Sequence, residues 1–231
     1  MTRQITMRMY FATFSIVARD SRTGDFGVGT CTAAPCVGVF LPFAQEGVGA
    51  IATQAWVNVN LGHQGLELMR SGLSVRSALE ALLAEDDGRA RRQVIGIDKE
   101  SVYGHTGDEC TGAKGHILEK DFAVAGNILT STGVLDAMAS NWGKSKGELP
   151  HRIIRALEAG QAAGGDSRGR MSAALVVASS KPKLYHNLRV DMHEEPLREL
   201  RRIFDRCWKL QAEYGDEDGE VLRTKHKIAR R

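Results

Sequence analysis

The sequence predicts an α+β fold in which antiparallel β-sheets are covered by helices. Apolar runs rich in β-branched residues are joined by short glycine-bearing turns, as in β-hairpins. Strands and helices come in groups rather than in strict alternation, which argues against a doubly wound parallel sheet. The composition of the 231 residues, 42% hydrophobic and 26% charged, is that of an ordinary globular protein. Its 25 glycines against 5 prolines indicate many turns and close backbone approaches.

The first half of the chain is predicted to open with a β-hairpin and to end in a helical hairpin. Gly24 lies in the turn between the first two strands, and Gly72 ends the first helix. Ser74 is a suitable N-cap for the second helix. The expected elements are strands Phe11–Arg19 and Phe26–Thr32, extended runs Val37–Leu41 and Gly47–Thr53, and helices Leu61–Arg70 and 75–83.

The second half repeats the grouping of strands before helices. Pro150 suits the first turn of a helix, where its missing N–H is no loss. The expected strands are Gln93–Asp98, Ser101–His105, His116–Glu119, Phe122–Asn127, Met171–Ala178 and Leu184–Val190, and the expected helices are Gly133–Trp142, Pro150–Ala163 and Glu195–Tyr214. With no linker-like stretch, we expect one domain over residues 1–214, followed by a polar, basic tail at 215–231.

Charge and apolar patterning exclude several classes of function. A net charge of +3 is too small to indicate nucleic-acid binding, and no apolar run reaches the roughly 20 residues of a membrane span. The four cysteines follow no disulfide spacing, and no secretion signal is evident, so we expect reduced thiols and a cytoplasmic location. The scattered histidines show no zinc-site spacing. We expect neither a metal nor a cofactor.

Two motifs look like sites but have the wrong neighbours. Gly47–Ala52 matches a dinucleotide-binding pattern, yet the residues after it extend a strand instead of starting a helix. Gly165–Gly169 matches the serine-hydrolase elbow, with Ser167 followed by Asp191 and His193. That elbow needs a strand before the serine and a helix after it, whereas here the order is reversed. Glycine-rich sheet packing and a glycine helix stop are the favoured interpretations.

Two further features leave a structural and a functional interpretation open. Asn127 follows Gly126 at a strand end, where its amide could stabilise an oxyanion or simply form a turn. Asp166 and Arg168 share a glycine-rich loop, where they could clamp a polar substrate or hold the loop through a salt bridge. The spacing alone favours the salt bridge.

Several longer stretches together resemble one family. They are ATFSIVARD at 12–20, GVGAIATQAW at 47–56 with Asn58, HTG at 105–107, GNIL at 126–129, EAGQAAGGD at 158–166 with Arg168-Gly169, SAAL at 172–175, and LRVD at 188–191 with His193. The chain is identified from these as similar, over about 13–204, to the DUF1028 family of unknown function, which is related to the N-terminal-nucleophile (Ntn) hydrolases and the proteasome. The resemblance implies a four-layer αββα sandwich of two antiparallel sheets between helices.

The resemblance also implies a nucleophile and a reaction. In Ntn hydrolases a threonine, serine or cysteine at the start of a strand attacks an amide, and its own free α-amino group is the base. Thr13 would be that nucleophile and Asn127 the oxyanion donor. Asp166 and Arg168, together with Trp56 and Asn58, would contact the substrate.

This chain departs from the family pattern at the nucleophile. Twelve residues precede Thr13, so its nitrogen belongs to a peptide bond and cannot act as a base unless they are removed. The loop Cys31–Cys36 also differs from relatives, and no lysine occurs between Gln4 and Lys99 to match the proteasome's.

Two functions of different class follow from these observations. One is an amidohydrolase acting on a small amide or peptide substrate. The other is a non-catalytic protein of the same fold that binds a small ligand or assembles into a homo-oligomer, as related folds commonly do. A serine hydrolase that uses Ser167 is a third and weaker alternative.

Overall fold

Two antiparallel sheets lie face to face in the computed structural model, which describes residues 10–11 and 13–214. The first sheet contains β1 (Tyr10–Phe11), β4 (Pro42–Gln45), β5 (Gly49–Trp56), β6 (Arg92–Ile97) and β7 (Val102–Thr106). The second contains β2 (Thr13–Asp20), β3 (Asp25–Thr32), β8 (Ala113–Glu119), β9 (Phe122–Leu129), β10 (Ser172–Ala178) and β11 (Asn187–Val190), in the order β11-β10-β3-β2-β9-β8.

Helices cover the outer face of each sheet. The helices are α1 (Val37–Phe40), α2 (Val59–Arg70), α3 (Val75–Ala84), α4 (Gly133–Lys144), α5 (Leu149–Ala162) and α6 (Pro196–Tyr214). Apolar residues of α2 and α3 pack on the first sheet, and those of α4, α5 and α6 pack on the second. A third apolar cluster fills the layer between the sheets. The predicted four-layer αββα sandwich is therefore confirmed.

Glycines in β3 set the close approach of α5 to the second sheet. A Cβ at Gly27 would lie 2.5 Å from the Ile153 side chain, and one at Gly29 would lie 2.4 Å from it. Any larger residue would push the helix away, because such contacts are too short for packed carbons. Part of the glycine content thus serves packing between layers.

Most predicted elements are present, but the prediction for the segment after the first hairpin is wrong. Val37–Leu41 was expected to be extended, whereas Val37–Phe40 forms a helical turn, α1. Cys36 adopts a left-handed conformation (φ 59°), and the Val37 N–H donates to the Ser172 hydroxyl at 3.1 Å, so the chain turns there. The strand that follows, β4, was missed because Pro42 opens it.

Other boundaries also shift. Gly47 is in a turn (φ 70°), so β5 begins two residues later and runs on to Trp56. The last predicted strand shortens to Asn187–Val190. The predicted basic tail at 215–231 lies outside the described residues, as do residues 1–9. Within the described part of the chain, no helix is long and apolar enough to cross a membrane.

Candidate active site

The layer between the two sheets changes character along its length. Alternate residues of each strand point into it. At one end, here called the apolar end, it is filled by Val17, Phe26, Val28, Ala50, Ala52, Ile95, Ile97, Ala123 and Ala125. Continuing the same alternation to the other end brings polar residues into the layer. This polar end consists of Thr13, Ser15, Thr30, Thr32, Gln54, Gln93 and Asn127, all of them 0% exposed.

Gln93 is the centre of the polar end. Its Oε1 accepts hydrogen bonds from Gln54 Nε2 at 2.6 Å and from Asn127 Nδ2 at 2.9 Å. Because an amide nitrogen only donates and an amide oxygen only accepts, these bonds fix which way both neighbouring amides point.

The fixed orientation leaves two buried oxygens as open acceptors. Gln54 Oε1 and Asn127 Oδ1 have no hydrogen-bond partner among the described residues. An unsatisfied buried polar group costs about 1–3 kcal/mol. Two such oxygens, on side chains that share Gln93 as their acceptor, are therefore able to receive N–H or O–H donors.

The other side of Gln93 ties the two sheets together. Its Nε2 donates to the carbonyl oxygens of Gly115 at 3.0 Å and Gly126 at 2.9 Å, both in the second sheet. The Thr106 hydroxyl also lies 2.9 Å from this nitrogen, so three acceptors share its two hydrogens, and the same hydroxyl bonds His116 Nδ1 at 2.9 Å. Burial, reinforced by the nearby His105, lowers the pKa of His116, so the neutral ring is favoured.

Thr13 opens β2 inside this polar end. The strand register pairs it with Thr32, and the neighbouring Phe14 pairs with Gly126, the residue before Asn127. Gln54 Nε2 lies 3.5 Å from the Thr13 carbonyl oxygen. Thr13 and the two side chains that carry open acceptors are thus immediate neighbours.

The chain that precedes Thr13 covers it. Phe11 belongs to β1, which pairs with β5 in the first sheet, so the chain crosses from one sheet to the other between Phe11 and Thr13. The Thr13 hydroxyl donates to the Phe11 carbonyl oxygen at 2.9 Å. In this form the hydroxyl is buried and engaged, and the nitrogen is a peptide amide.

Backbone strain collects around the same end. Among the described residues, three that are not glycine have positive φ angles: Cys36 at 59°, Ala55 at 64° and Ile128 at 48°. Ala55 directly follows Gln54, and Ile128 directly follows Asn127. A β-branched residue such as isoleucine rarely adopts this conformation, and such strain, of order 1–3 kcal/mol per residue, clusters at functional sites.

Asp166 and Arg168 lie at the same end of the second sheet. Leu129, two residues after Asn127, bridges to Asp166, whose Oδ2 accepts from the Ala33 amide at 3.1 Å. The Arg168 guanidinium bonds the same carboxylate at 2.9 Å. The Asp166 side chain is 2% exposed and the Arg168 side chain 37% exposed. The salt bridge is present, and the guanidinium is the part of the pair that reaches solvent.

Trp56 and Asn58 lie at the end of β5, outside the polar end. Asn58 caps α2 by accepting from the Asn60 amide at 3.1 Å and donates to Asp86 Oδ2 at 2.7 Å. Arg92 bonds both Asp86 and the Trp56 carbonyl oxygen, the latter at 2.7 Å. Both residues therefore have structural roles at the rim of the site.

The carboxylate of Asp86 is stabilised in this frame. Burial by itself would raise its pKa, but hydrogen bonds from Arg92, Asn58 and the Gly88 amide outweigh burial, so the pKa lies below its ordinary value. The charged pair of Asp86 and Arg92 fixes the loop before β6, which carries Gln93 into the layer.

The residues that match the serine-hydrolase elbow and its partners have structural roles. Ser167 donates to the Ile128 carbonyl oxygen at 2.9 Å, whereas Asp191 pairs with Arg189 and His193 Nδ1 accepts from the Glu195 amide. Ser167, Asp191 and His193, the residues of the weaker serine-hydrolase alternative, therefore have separate partners and form no triad. Within residues 10–11 and 13–214, no group of three His, Cys, Asp or Glu residues is placed to hold a metal ion.

Two glycines end α5, and the Cys31 thiol is buried. Gly164 (φ 120°) and Gly165 (φ 62°) stop the helix, and the Gly165 amide donates to the Gly160 carbonyl oxygen, as in a glycine C-cap. Burial raises the pKa of the Cys31 thiol, which disfavours the reactive thiolate.

Sequence reasoning missed Gln54 and Gln93, the residues that organise the site. The signal was present as strand alternation. Ala50 and Ala52 precede Gln54 at inward positions of β5, and Ile95 and Ile97 follow Gln93 at inward positions of β6. A glutamine that continues an inward apolar series predicts a buried amide that needs specific partners.

Known proteins resemble this chain over most of its length. The family of unknown function DUF1028 matches residues 13–200. Protein SPO2555 from Silicibacter pomeroyi, a DUF1028 protein of known crystal structure, is 30% identical with a TM-score of 0.79, over 84% of this chain and 85% of that chain. Anbu, an ancestral β-subunit from Yersinia bercovieri, is 9% identical with a TM-score of 0.40 over 87% and 95%, which is too remote to support an argument. No curated protein matches. The chain belongs to the DUF1028 family.

Proposed function

We propose that this DUF1028 protein is an N-terminal-nucleophile amidohydrolase that acts on a small amide or peptide after removal of residues 1–12. One observation supports this most strongly. Thr13 opens β2 within a fully buried cluster that contains hydroxyls and amides but no titratable side chain. Hydrolysis there requires a base, and the α-amine of Thr13 is the group that removal of the preceding segment would create.

The two open oxygens suit this base. A neutral amine has two N–H groups and one lone pair. If Gln54 Oε1 and Asn127 Oδ1 accept the two hydrogens, the lone pair remains free to take the proton of the Thr13 hydroxyl. The ordinary pKa of an α-amine, about 7.7–8.0, places this transfer near neutral pH. The oxygens would then orient the base as well as satisfy the cluster.

The reaction would proceed through an ester. Thr13 Oγ1 attacks the carbonyl carbon of the substrate, its proton passes to the α-amine, and the amine carries that proton to the leaving nitrogen as the C–N bond breaks. Water then hydrolyses the acyl-enzyme by the same route. Asn127 Nδ2 uses one of its two hydrogens on Gln93, so the second is available to an oxyanion.

The remaining proposed contacts lie at the rim. Arg168, held by Asp166, offers a half-exposed guanidinium to a polar or anionic part of the substrate. We also propose that Trp56 and Asn58, at the end of β5, contact the substrate from the first sheet. We also place the protein in the cytoplasm, in keeping with its four free cysteines, and propose that it acts as a homo-oligomer without nucleic-acid or membrane partners.

The test starts from the mature N-terminus. The intact mass of the protein purified from its native host shows whether residues 1–12 are removed. A cleavable fusion that leaves Thr13 as the first residue is then assayed against a panel of small amides and peptides. We expect turnover by this form, loss of at least about 10³-fold in Thr13→Ala, and no loss in the matched control Ser167→Ala. Turnover that survives Thr13→Ala, or that depends on Ser167, would contradict the proposal.

The alternative function, a non-catalytic ligand-binding or assembly protein, is favoured by the engaged Thr13. Its hydroxyl bonds Phe11 and its nitrogen lies in a peptide bond. A protein that keeps residues 1–12 in its host, shows no turnover in the Thr13 form, and is stabilised against heat by a small ligand would support this function instead.

A further inference from the structure

The edge of β5 is shared by two short strands. β4 pairs with β5 at residues 49–52, and β1 pairs with it at Ala55 and Trp56. Ala55 is the residue of β5 with positive φ, and it lies opposite Phe11. Removal of residues 1–12, which the proposed function requires, would therefore leave the second half of this edge without its partner.

Phe11 fills an apolar recess beside this edge. Its side chain is 2% exposed and packs with Val37, Leu41, Val57 and Ala174. Phe40 lies at the border of this cluster, with the two phenylalanine rings 5.7 Å apart. Removing the segment would thus uncover a lined recess as well as a strand edge.

Phe11 also presents a carbonyl to the nucleophile. Its carbonyl oxygen accepts from Thr13 Oγ1 at 2.9 Å while its backbone pairs with β5. An extended peptide in the same place would have its side chain in the recess and its carbonyl at Thr13. The chain itself therefore supplies a peptide carbonyl that is hydrogen-bonded to the Thr13 hydroxyl.

We propose that residues 10–11 occupy the substrate position, and that the substrate is an extended peptide or peptide-like amide cleaved after an aromatic or large apolar residue. This inference rests on the proposed function for the removal of the segment. The strand edge of β5 recognises the extended backbone, and the recess of Phe11 selects the side chain. The amide bond that follows this side chain is the one that Thr13 attacks, so the aromatic residue is transferred to Thr13 as the ester.

Binding without turnover tests this proposal apart from the reaction. The protein is prepared to begin at residue 13 with Thr13→Ala, so that it cannot form the ester. The probe is a fluorescent synthetic peptide with the sequence of residues 7–12, MRMYFA. The matched control peptide carries aspartate in place of phenylalanine. We expect the phenylalanine peptide to bind at least about tenfold more tightly to the shortened protein than the control, since apolar burial of one large side chain is worth more than 1.4 kcal/mol. The full chain should bind neither.

A second variant covers the case in which the shortened protein does not fold. In the full chain, Phe11→Asp places a charge in the apolar recess and should release the internal segment, so the phenylalanine peptide should then bind in trans. Equal binding of both peptides, or no binding by folded Phe11→Asp protein, would overturn the proposal. Peptide binding without turnover in the Thr13 form would instead contradict only the proposed function. Turnover without preference for an aromatic residue would contradict only this inference.

Discussion

The two ends of the inter-sheet layer are built by the same strands but hold different chemistry. At the apolar end, Val17, Val28 and Ile97 pack with small alanines. At the polar end, Thr13, Gln93 and Asn127 are equally buried but depend on one another's hydrogen bonds. Apolar packing of the first kind stabilises the fold. The polar end, in contrast, leaves buried acceptors without partners, and these lower the stability of the fold.

Strain separates the two ends as well. The positive φ angles of Ala55 and Ile128 occur directly after Gln54 and Asn127. The apolar end of the same strands is regular. Strained backbone and open acceptors at the same place indicate selection for something other than stability, and this supports a functional site at the polar end.

Replacing the central amide should have the largest effect on stability. In Gln93→Leu, the amide nitrogens of Gln54 and Asn127 lose their shared acceptor while remaining buried. At about 1–3 kcal/mol for each, the free energy of unfolding should fall by roughly 2–6 kcal/mol. Urea unfolding measures this change. A loss below about 1 kcal/mol would mean that Gln93 is not the centre of the polar end.

At the apolar end, Ile97→Ala should remove packing and nothing else. We expect a loss of about 2–5 kcal/mol in the free energy of unfolding, from lost transfer energy and the cavity left behind. Unlike Gln93→Leu, it should leave peptide binding or turnover at Thr13 unchanged once the protein is folded. An equal loss of binding in both variants would contradict the separation of the two ends.

The two ends should also respond to different pH ranges. Because burial lowers the pKa of His116, the unfolded chain binds the proton first, so stability should fall as pH drops from 6.5 through the folded pKa. His116→Asn should reduce this fall. It should not abolish it, because the pKa values of His151 and His186 are also lowered. Urea unfolding at pH 7.5 and 5.5 measures the difference.

The matched variant for pH lies at the apolar end. Burial alone would raise the pKa of Asp98, but hydrogen bonds from the amides of Val75, Glu100 and Ser101 and from the Ser101 hydroxyl lower it overall. Its contribution should be present above its unfolded pKa of 3.8 and be lost only as pH falls further. Asp98→Asn should therefore leave the change between pH 7.5 and 5.5 intact. If Asp98→Asn altered the change in stability between pH 7.5 and 5.5 as much as His116→Asn does, His116 would not be the source of that change.

Relieving the strained strand should have the smallest effect. In Ala55→Gly, relief of an unfavourable φ offsets the loss of a buried methyl group, so stability should change by less than about 1 kcal/mol. Ala52→Gly on the same strand has no strain to relieve and should destabilise by about 1–2 kcal/mol. Thermal unfolding of the Ala55→Gly and Ala52→Gly proteins measures this difference. Equal losses of stability in the two variants would contradict it.

The sequence predicted the layers, and the β2 strand that Thr13 opens, better than the polar end itself. The hairpin around Gly24 and the grouping of helices follow from local turn and periodicity signals, and the family resemblance gave their stacking. The pairing of β1 with β5 could not be predicted, because two residues carry no pattern and the partner lies more than 40 positions away. Gln93 was missed because its role depends on contacts from both sheets.

Covalent labelling shows directly whether the polar end is a reactive site whose nucleophile, Thr13, is covered by residues 10–11. An aromatic β-lactone, which acylates activated hydroxyls, is incubated with the full chain and with the form that begins at Thr13, and the modified residue is located by peptide mass mapping. We expect an adduct on Thr13 in the shortened form alone. No adduct on Thr13, or the same adduct on Ser167 in both forms, would contradict it.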